Sequence, residues 1–282
     1  MTNPLRPSRE AALEAWRALV AADAEQVPRV REPEPPRDYY QPTAAHFRAG
    51  VRATPELPAL LQLAQPEDTW LDIGAGGGRL AVPLAAHVAR VVAVEPSPAM
   101  RETLDAALAE AARTNVEVHD RRWPDPAWDA PVDVAMAAHS LYDIAEIDAF
   151  LDAMERHARR LCVALLRPWA RGTALAALFE AVHGEPMQTL PGLREFVALV
   201  AARGCAPEVR LAPTEPEAAV RPRDAAFTEA RRLLWLAEGS AKEQRMRALM
   251  EEWWGTPEGI AVPRGPAHIG VVSWEPGAGA PR

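Results

Sequence analysis

The stretch "TWLDIGAGGGRLAVPLA" (residues 69–85) decides the reading of this chain. Trp70 and Leu71 lead to Asp72, and four glycines follow within the five positions 74–78. An alanine-rich apolar run comes next. This predicts a buried strand that stops at a glycine turn and restarts as a helix. Such a turn is a ligand site in the making. Backbone N–H groups at a helix start lack intrahelical partners, and the helix dipole favours negative or polar groups there. Glycines let a ligand approach the backbone closely. In doubly wound sheets, ligands bind at the C-terminal ends of the strands.

Working outward, "RVVAVEP" (90–96) reads as a second strand ending in Glu95. "SPAMRETLDAALAEAAR" (97–113) reads as a helix with Ser97 as N-cap and Pro98 at its first position. "NVEVHD" (115–120) and "VDVAMAAHS" (132–140) are a third and fourth strand. "EIDAFLDAMERHARR" (146–160) is a helix and "LCVALLRP" (161–168) a fifth strand. Strands alternating with helices argue a parallel sheet covered on both faces. Further on, "APEVRLAP" (206–213) could be a strand and "HIGVVSWEP" (268–276) a final one, with one or two helices across 224–255. Upstream, residues 8–27 read as an amphipathic helix. Pro33, Pro35 and Pro36 then favour an extended linker.

The fine structure of the glycine turn narrows the ligand. A dinucleotide fingerprint G-x-G-x-x-G would need glycine at position 79, where Arg79 stands. The pattern is G-x-G-x-G through Gly74, Gly76 and Gly78, with Gly77 extra. Asp72 precedes it by two positions. A carboxylate there suits an ammonium group better than a pyrophosphate.

"LDIGAGGGRL" (71–80) followed by "VVAVEPSPAM" (91–100) resembles motifs I and II of the class I S-adenosylmethionine-dependent methyltransferases. The resemblance covers roughly residues 55–168. It implies a three-layer αβα sandwich with a seven-stranded, mostly parallel sheet, the last strand antiparallel, plus helical additions. It implies S-adenosyl-L-methionine as cofactor and S-adenosyl-L-homocysteine as product. In the family the acidic residue of motif I orients the methionyl end. That role falls to Asp72, with Gly74, Ala75, Gly76 and Gly78. The acidic residue ending the second strand takes both ribose hydroxyls, which falls to Glu95. Pro96, Ser97 and Met100 would pack near the adenine.

The adenine side departs from the pattern. The family often has an acid in the loop after the third strand, but this chain reads "NVEVHDRRWPD" (115–125). Either Asp120 serves, or Arg122 and Trp123 line the adenine by stacking. After the fourth strand comes "AAHSLYD" (137–143), which in the family faces the substrate. His139 is the candidate base or substrate contact, the alternative being plain packing on the methionyl part, and Tyr142 would help shape the pocket. No [Asn/Asp]-Pro-Pro-[Tyr/Phe] motif stands here, which argues against amino methylation of bases or glutamine.

The domain plan expected is an N-terminal helix, Pro-rich linker and candidate lid over 1–50. A methyltransferase domain follows over 51–275 with a helical insert at about 222–255, then a disordered tail at 276–282. Tyr39 and Tyr40 are the lid candidates. The net charge of −8 argues against a nucleic-acid partner and for a small-molecule substrate. Cys162 and Cys205 form no metal-ligand pattern, and no metal is expected. No run of 18 apolar residues is present, so no membrane partner is expected and the cytosol is the expected compartment. A homodimer through the insert stays open. Two rival functions share the motifs: a non-catalytic S-adenosylmethionine-binding regulator and an RNA methyltransferase. A third, an NAD-dependent dehydrogenase, has Arg79 against it.

Overall fold

The computed structural model of the chain describes residues 8–169, 173–214, 220–263 and 265–277. Seven strands form one sheet: β1 (Thr69–Ile73), β2 (Arg90–Val94), β3 (Val116–His119), β4 (Val132–Ala138), β5 (Ala158–Leu166), β6 (Glu208–Pro213) and β7 (His268–Trp274). Their order is β3-β2-β1-β4-β5-β7-β6. β1 is parallel to β2 and β4, and β7 runs antiparallel to both β5 and β6. This is the mostly parallel, seven-stranded arrangement expected, with its one reversed strand last in the chain. The order reverses between β2 and β4 around β1. The strand ends therefore open a crevice at Asp72 and Glu95, the topological switch point where ligands bind.

The central strands read as continuous apolar runs because both faces are covered. Leu71, Ile73, Val92, Val94, Ala135 and Ala137 face one layer with Phe150, Leu151 and Met154 of α5 (Ile147–His157). Trp70, Val91, Val134, Met136 and Val163 face the other, against Leu80, Leu84 and Leu60.

The N-terminal helix α1 (Arg9–Val30) belongs to the first layer. Trp16 is fully buried, donates its indole N–H to Ile144 O at 2.8 Å, and meets Phe196 edge-on at 6.2 Å. Burying that ring stabilises the docking by about 2–3 kcal/mol. The helix runs past residue 27, where the Pro-rich linker was expected to begin, to Val30. Pro28 lacks an N–H, yet Gln26 and Val30 on either side are buried. Gln26 bonds Pro186 O at 2.8 Å and the Gln188 N–H at 2.7 Å. Tertiary packing outweighs the lost helix bond.

The remaining helices are short where prolines crowd. α2 (Leu57–Leu61) carries Pro58, and α3 (Ala81–Leu84) holds Pro83 and is shorter than the run 78–88 suggested. α4 (Pro98–Glu110) begins as expected, Ser97 Oγ accepting the Met100 N–H at 3.2 Å. α6 (Ala176–His183) and α7 (Leu193–Ala202) lie between β5 and β6. α8 (Arg223–Leu233) and α9 (Ala241–Trp254) lie between β6 and β7. Those two pack with α6 into a separate core around Phe179, Phe227, Met246 and Met250. The expected tail falls largely outside the described residues.

Candidate functional site

The parallel register sets Asp72 beside Ala93 and Ile73 beside Val94, so Glu95 emerges one step beyond β2 and faces the glycine turn. Val94 O accepts the Gly74 and Ala75 N–H groups at 2.8 and 3.3 Å. Glu95 closes the turn. Its Oε2 accepts the Gly76 N–H and its Oε1 the Ser97 N–H, both at 2.8 Å. One carboxylate thus holds the turn and the start of α4 together, and each oxygen keeps a further lone pair. Gly74 sits at φ +77°, and a Cβ there would meet Ser140 Cβ at 2.7 Å. The bare backbone is required by the chain after β4.

Asp72 is 1 % exposed, and its Oδ1 has no hydrogen-bond partner. Burial, reinforced by the charge of Glu95 and opposed by Arg79, pushes its pKa up to about 7. Glu95 is raised too, by burial against the opposing pull of the Ser97 and Gly76 N–H groups and Arg101. Two buried carboxylates therefore flank one backbone cradle. The arrangement favours a ligand with a cationic group and hydroxyl donors.

The other candidates divide. Ala75, Ser97 and Met100 are buried at the same corner, and Met100 Sδ lies 3.8 Å from the Cβ position of Gly76. Pro96 is half-buried beside them. Gly78, at φ +82°, packs against Leu104 and Val82. Asp120 is held by Arg101 at 2.8 and 2.9 Å, and the same guanidinium donates to Glu95 O at 2.9 Å. Asp120 therefore sits beside the corner with its charge already matched. Arg122 is exposed. Trp123 turns away into packing: it meets Trp128 and His157 edge-on and donates to Phe150 O at 3.3 Å. Of the two alternatives for the adenine side, stacking by Trp123 gives way to this contact with α5.

His139 follows β4 at φ +58°, a left-handed conformation that is strained for a non-glycine residue. Its Nδ1 lies 3.0 Å from Tyr142 Oη, and the Arg167 N–H donates to that same oxygen at 2.8 Å. The Tyr142 proton is then aimed at Nδ1, leaving the ring hydrogen on Nε2. Nε2 lies 3.7 Å from Glu56 Oε1. Burial lowers the His139 pKa despite Glu56, so the ring is neutral at pH 7. Burial also lifts Tyr142 to about 12.

Glu56 was not visible as a site residue in the sequence. It is fully buried, with Arg79 Nη1 2.5 Å from Oε1. Burial opposes its charge, but His139 and Arg79 hold it down to about 2. Asp38 was missed as well. Its carboxylate accepts from Ser97 Oγ at 2.8 Å and the Ala99 N–H at 3.1 Å, capping α4 from the linker. An acid just before an aromatic pair was the only sequence signal. The linker then crosses the glycine turn, where Arg48 bridges to Gly78 and a Cβ on Gly77 would strike Phe47 O at 2.9 Å.

Residues 71–160 match the family model described as a methyltransferase domain. The matched segment runs from β1 through the start of β5 and holds the glycine turn and Glu95. The fold agrees. A putative methyltransferase from Bacillus halodurans C-125 superposes with TM-score 0.57 at 13% identity, covering 79% of this chain and 100% of that one. The YcgJ protein from Bacillus subtilis gives 0.56 at 13%, covering 79% and 99%. A SAM-dependent methyltransferase from Thiobacillus denitrificans in complex with S-adenosyl-L-homocysteine gives 0.53 at 16%, covering 85% and 97%. At such identities the likeness is one of fold. No curated protein matches the sequence. Among the described residues no helix is long and apolar enough to cross a membrane.

Proposed function

We propose that this protein transfers the methyl group of S-adenosyl-L-methionine to a small-molecule acceptor. One observation carries the reading: Asp72 and Glu95, both buried, end adjacent parallel strands around a glycine cradle, and Asp72 Oδ1 has no partner. The residues fit this cofactor. Glu95 would accept from the two ribose hydroxyls with its remaining lone pairs. Asp72 would face the ammonium, which stabilises its ionised form. Ser97 and Met100 would border the adenine. The cofactor supplies an electrophilic methyl on a sulfonium, so the chain need only align the acceptor and exclude water.

His139 and Tyr142 would line the acceptor side. With Nδ1 occupied by Tyr142, His139 offers only its Nε2 edge, and Glu56 is placed to orient that N–H. The first role proposed for the pair is positioning, with Tyr142 locking the ring. The segment around Tyr39 and Tyr40 would cover the cleft as a lid, anchored by Asp38 on α4. Cys162 and Cys205 are buried thiols, which suits a reducing compartment, and the cytosol is the one proposed. A non-catalytic binder would keep the same cofactor contacts, and the tied ring nitrogens of His139 are the observation in its favour.

NAD fits poorly. Arg79 is committed to Glu56 and does not offset the two carboxylates for a pyrophosphate. Calorimetric titration with S-adenosyl-L-homocysteine, with NAD as control, tests the reading. Micromolar binding of the first and none of the second is the expected outcome. Glu95→Gln should weaken it about 100-fold, since two charge-assisted bonds at about 1.5–3 kcal/mol each are weakened. NAD binding without S-adenosyl-L-homocysteine binding would sink the proposal.

A further inference from the structure

One residue away from the His139–Tyr142 pair, through Arg167, lies a cavity of about 90 Å³ that the cofactor motifs do not touch. Arg167 links the two places. It follows β5, gives its backbone N–H to Tyr142 Oη, and carries its guanidinium away toward the insert, where Nη1 lies 3.9 Å from the Cβ position of Gly265. Arg52, on the chain just after the cover over the glycine turn, lines the same cavity. The opposite wall is apolar: Leu233 on α8, Met250 on α9 and Val262 beyond it.

The charge balance of this cavity is uneven. Among the described residues, neither Arg52 nor Arg167 has a carboxylate partner. Arg221 also contributes to the lining. Glu229 is the carboxylate on the wall, and Arg232 holds it at 3.2 Å. In a chain of net charge −8, several other guanidinium groups at element junctions are matched: Arg79 to Glu56, Arg101 to Asp120, Arg203 to Asp148 and Asp152. Two unmatched guanidinium groups facing an apolar wall form a recognition surface for an acid with a hydrocarbon body. A guanidinium presents parallel N–H donors that fit a planar carboxylate in bidentate fashion. The enclosed volume has room for about seven non-hydrogen atoms, at one probe-sized site per 10–15 Å³.

Resting on the methyl-transfer reading, we infer that the acceptor is a small organic acid, its carboxylate held by Arg52 and Arg167 and its apolar body laid against α8 and α9. The same contact explains why α8 and α9 intervene before β7: they supply the wall that the sheet lacks. After burial, the positive charge of Arg167, with that of Arg79, also helps keep His139 in its neutral form. An anionic acceptor bound at Arg167 would weaken that influence and couple acceptor binding to the protonation of His139.

The test uses the full chain saturated with S-adenosyl-L-homocysteine and three probes: hexanoate, hexanamide and hexyl phosphate. Ligand-observed NMR reads their binding. Hexanoate should bind at least about tenfold more tightly than hexanamide, the worth of one charge-assisted contact. The double variant Arg52→Gln/Arg167→Gln should lose that preference and keep its calorimetric affinity for S-adenosyl-L-homocysteine. Equal binding of hexanoate and hexanamide overturns the inference, as does a preference that survives the double variant. Binding of hexyl phosphate without hexanoate overturns the carboxylate assignment. Failure of S-adenosyl-L-homocysteine to bind the wild type removes the methyl-transfer reading and the word acceptor with it. Arginine-dependent hexanoate binding would then still be measurable on the free protein, so the two failures are told apart.

Discussion

The two halves of the site are built from different materials. On the proposed cofactor side the contacts belong to one strand–turn–strand unit and are mostly backbone: Val94 O takes the Gly74 and Ala75 N–H groups, and Glu95 takes the Gly76 N–H. On the proposed acceptor side the contacts are side chains from four separate places. Glu56 precedes α2, Arg79 follows the glycine turn, His139 and Tyr142 follow β4, and Arg167 follows β5. A backbone-built half tolerates little change, because its donors cannot be re-aimed. A side-chain-built half can be respecified by substitution without disturbing the fold. The difference predicts that cofactor affinity and acceptor choice separate cleanly under mutation.

Asp72→Asn should break the cofactor half most instructively. S-adenosyl-L-homocysteine affinity should fall about 10–100-fold, through loss of one charge-assisted contact at about 1.5–3 kcal/mol. Stability should move the other way. The folded pKa of Asp72 is about 7 against an ordinary 3.8, so the folded chain holds the proton longer than the unfolded one. Its contribution to stability is therefore fully present below about 4 and is lost as pH rises through about 7. The ionisation penalty at pH 8 is on the order of 3–4 kcal/mol. Denaturant melts at pH 6 and 8 check this: the ligand-free variant should match or exceed wild type at pH 8, with the gap narrowing toward acid. Cofactor binding to the wild type should strengthen from pH 6 to 8. A pH-independent affinity would show that the ammonium lies elsewhere.

Gly77→Ala tests the cover over the turn. Its Cβ would meet Phe47 O at 2.9 Å and Thr103 Cγ2 at 2.8 Å. Displacing the linker backbone should cost about 1–3 kcal/mol in thermal melts. The covered segment around Phe47 should become more open to protease, while Trp16 and α1 stay docked.

What could be read from the sequence follows the same division. Strand β1, the glycine turn and Glu95 were legible because their chemistry is local. Period, glycine spacing and a carboxylate ending a valine run all lie within 27 positions, 69–95. Glu56, Arg79 and His139 were not legible as a group, since their pairing depends on where β4 sits beside β1. Asp38 caps a helix 59 positions away, and no local pattern announces that. Trp123, one of two alternatives for the adenine side, shows the converse. A tryptophan near a cofactor motif invites a stacking role, but its indole N–H needed a buried partner and found Phe150 O. The end of α1 differed for a related reason: the helix was expected to stop at residue 27, and the buried neighbours of Pro28 carry it on to Val30.

Asp38→Ala is the mildest break and bears on how the two halves communicate. Asp38 is half-exposed, and burial opposes its charge. The Ala99 N–H, Ser97 hydroxyl and Tyr40 N–H outweigh that and lower its pKa. The residue thus adds an anion to the positive end of α4, at the corner where Glu95 receives the Ser97 N–H. Removing it should cost about 1 kcal/mol, the usual worth of a helix cap. Ser97 still caps Met100, so α4 should stay folded. The linker is the part released. Tyr39 and Tyr40 should then gain mobility, read as a shift in tyrosine fluorescence anisotropy after the tryptophan signal is separated. If the segment is a lid, S-adenosyl-L-homocysteine should dissociate faster from Asp38→Ala than from wild type, with its association rate unchanged or raised. If dissociation is unchanged, the linker is only a surface strap, and the cofactor half is complete without it.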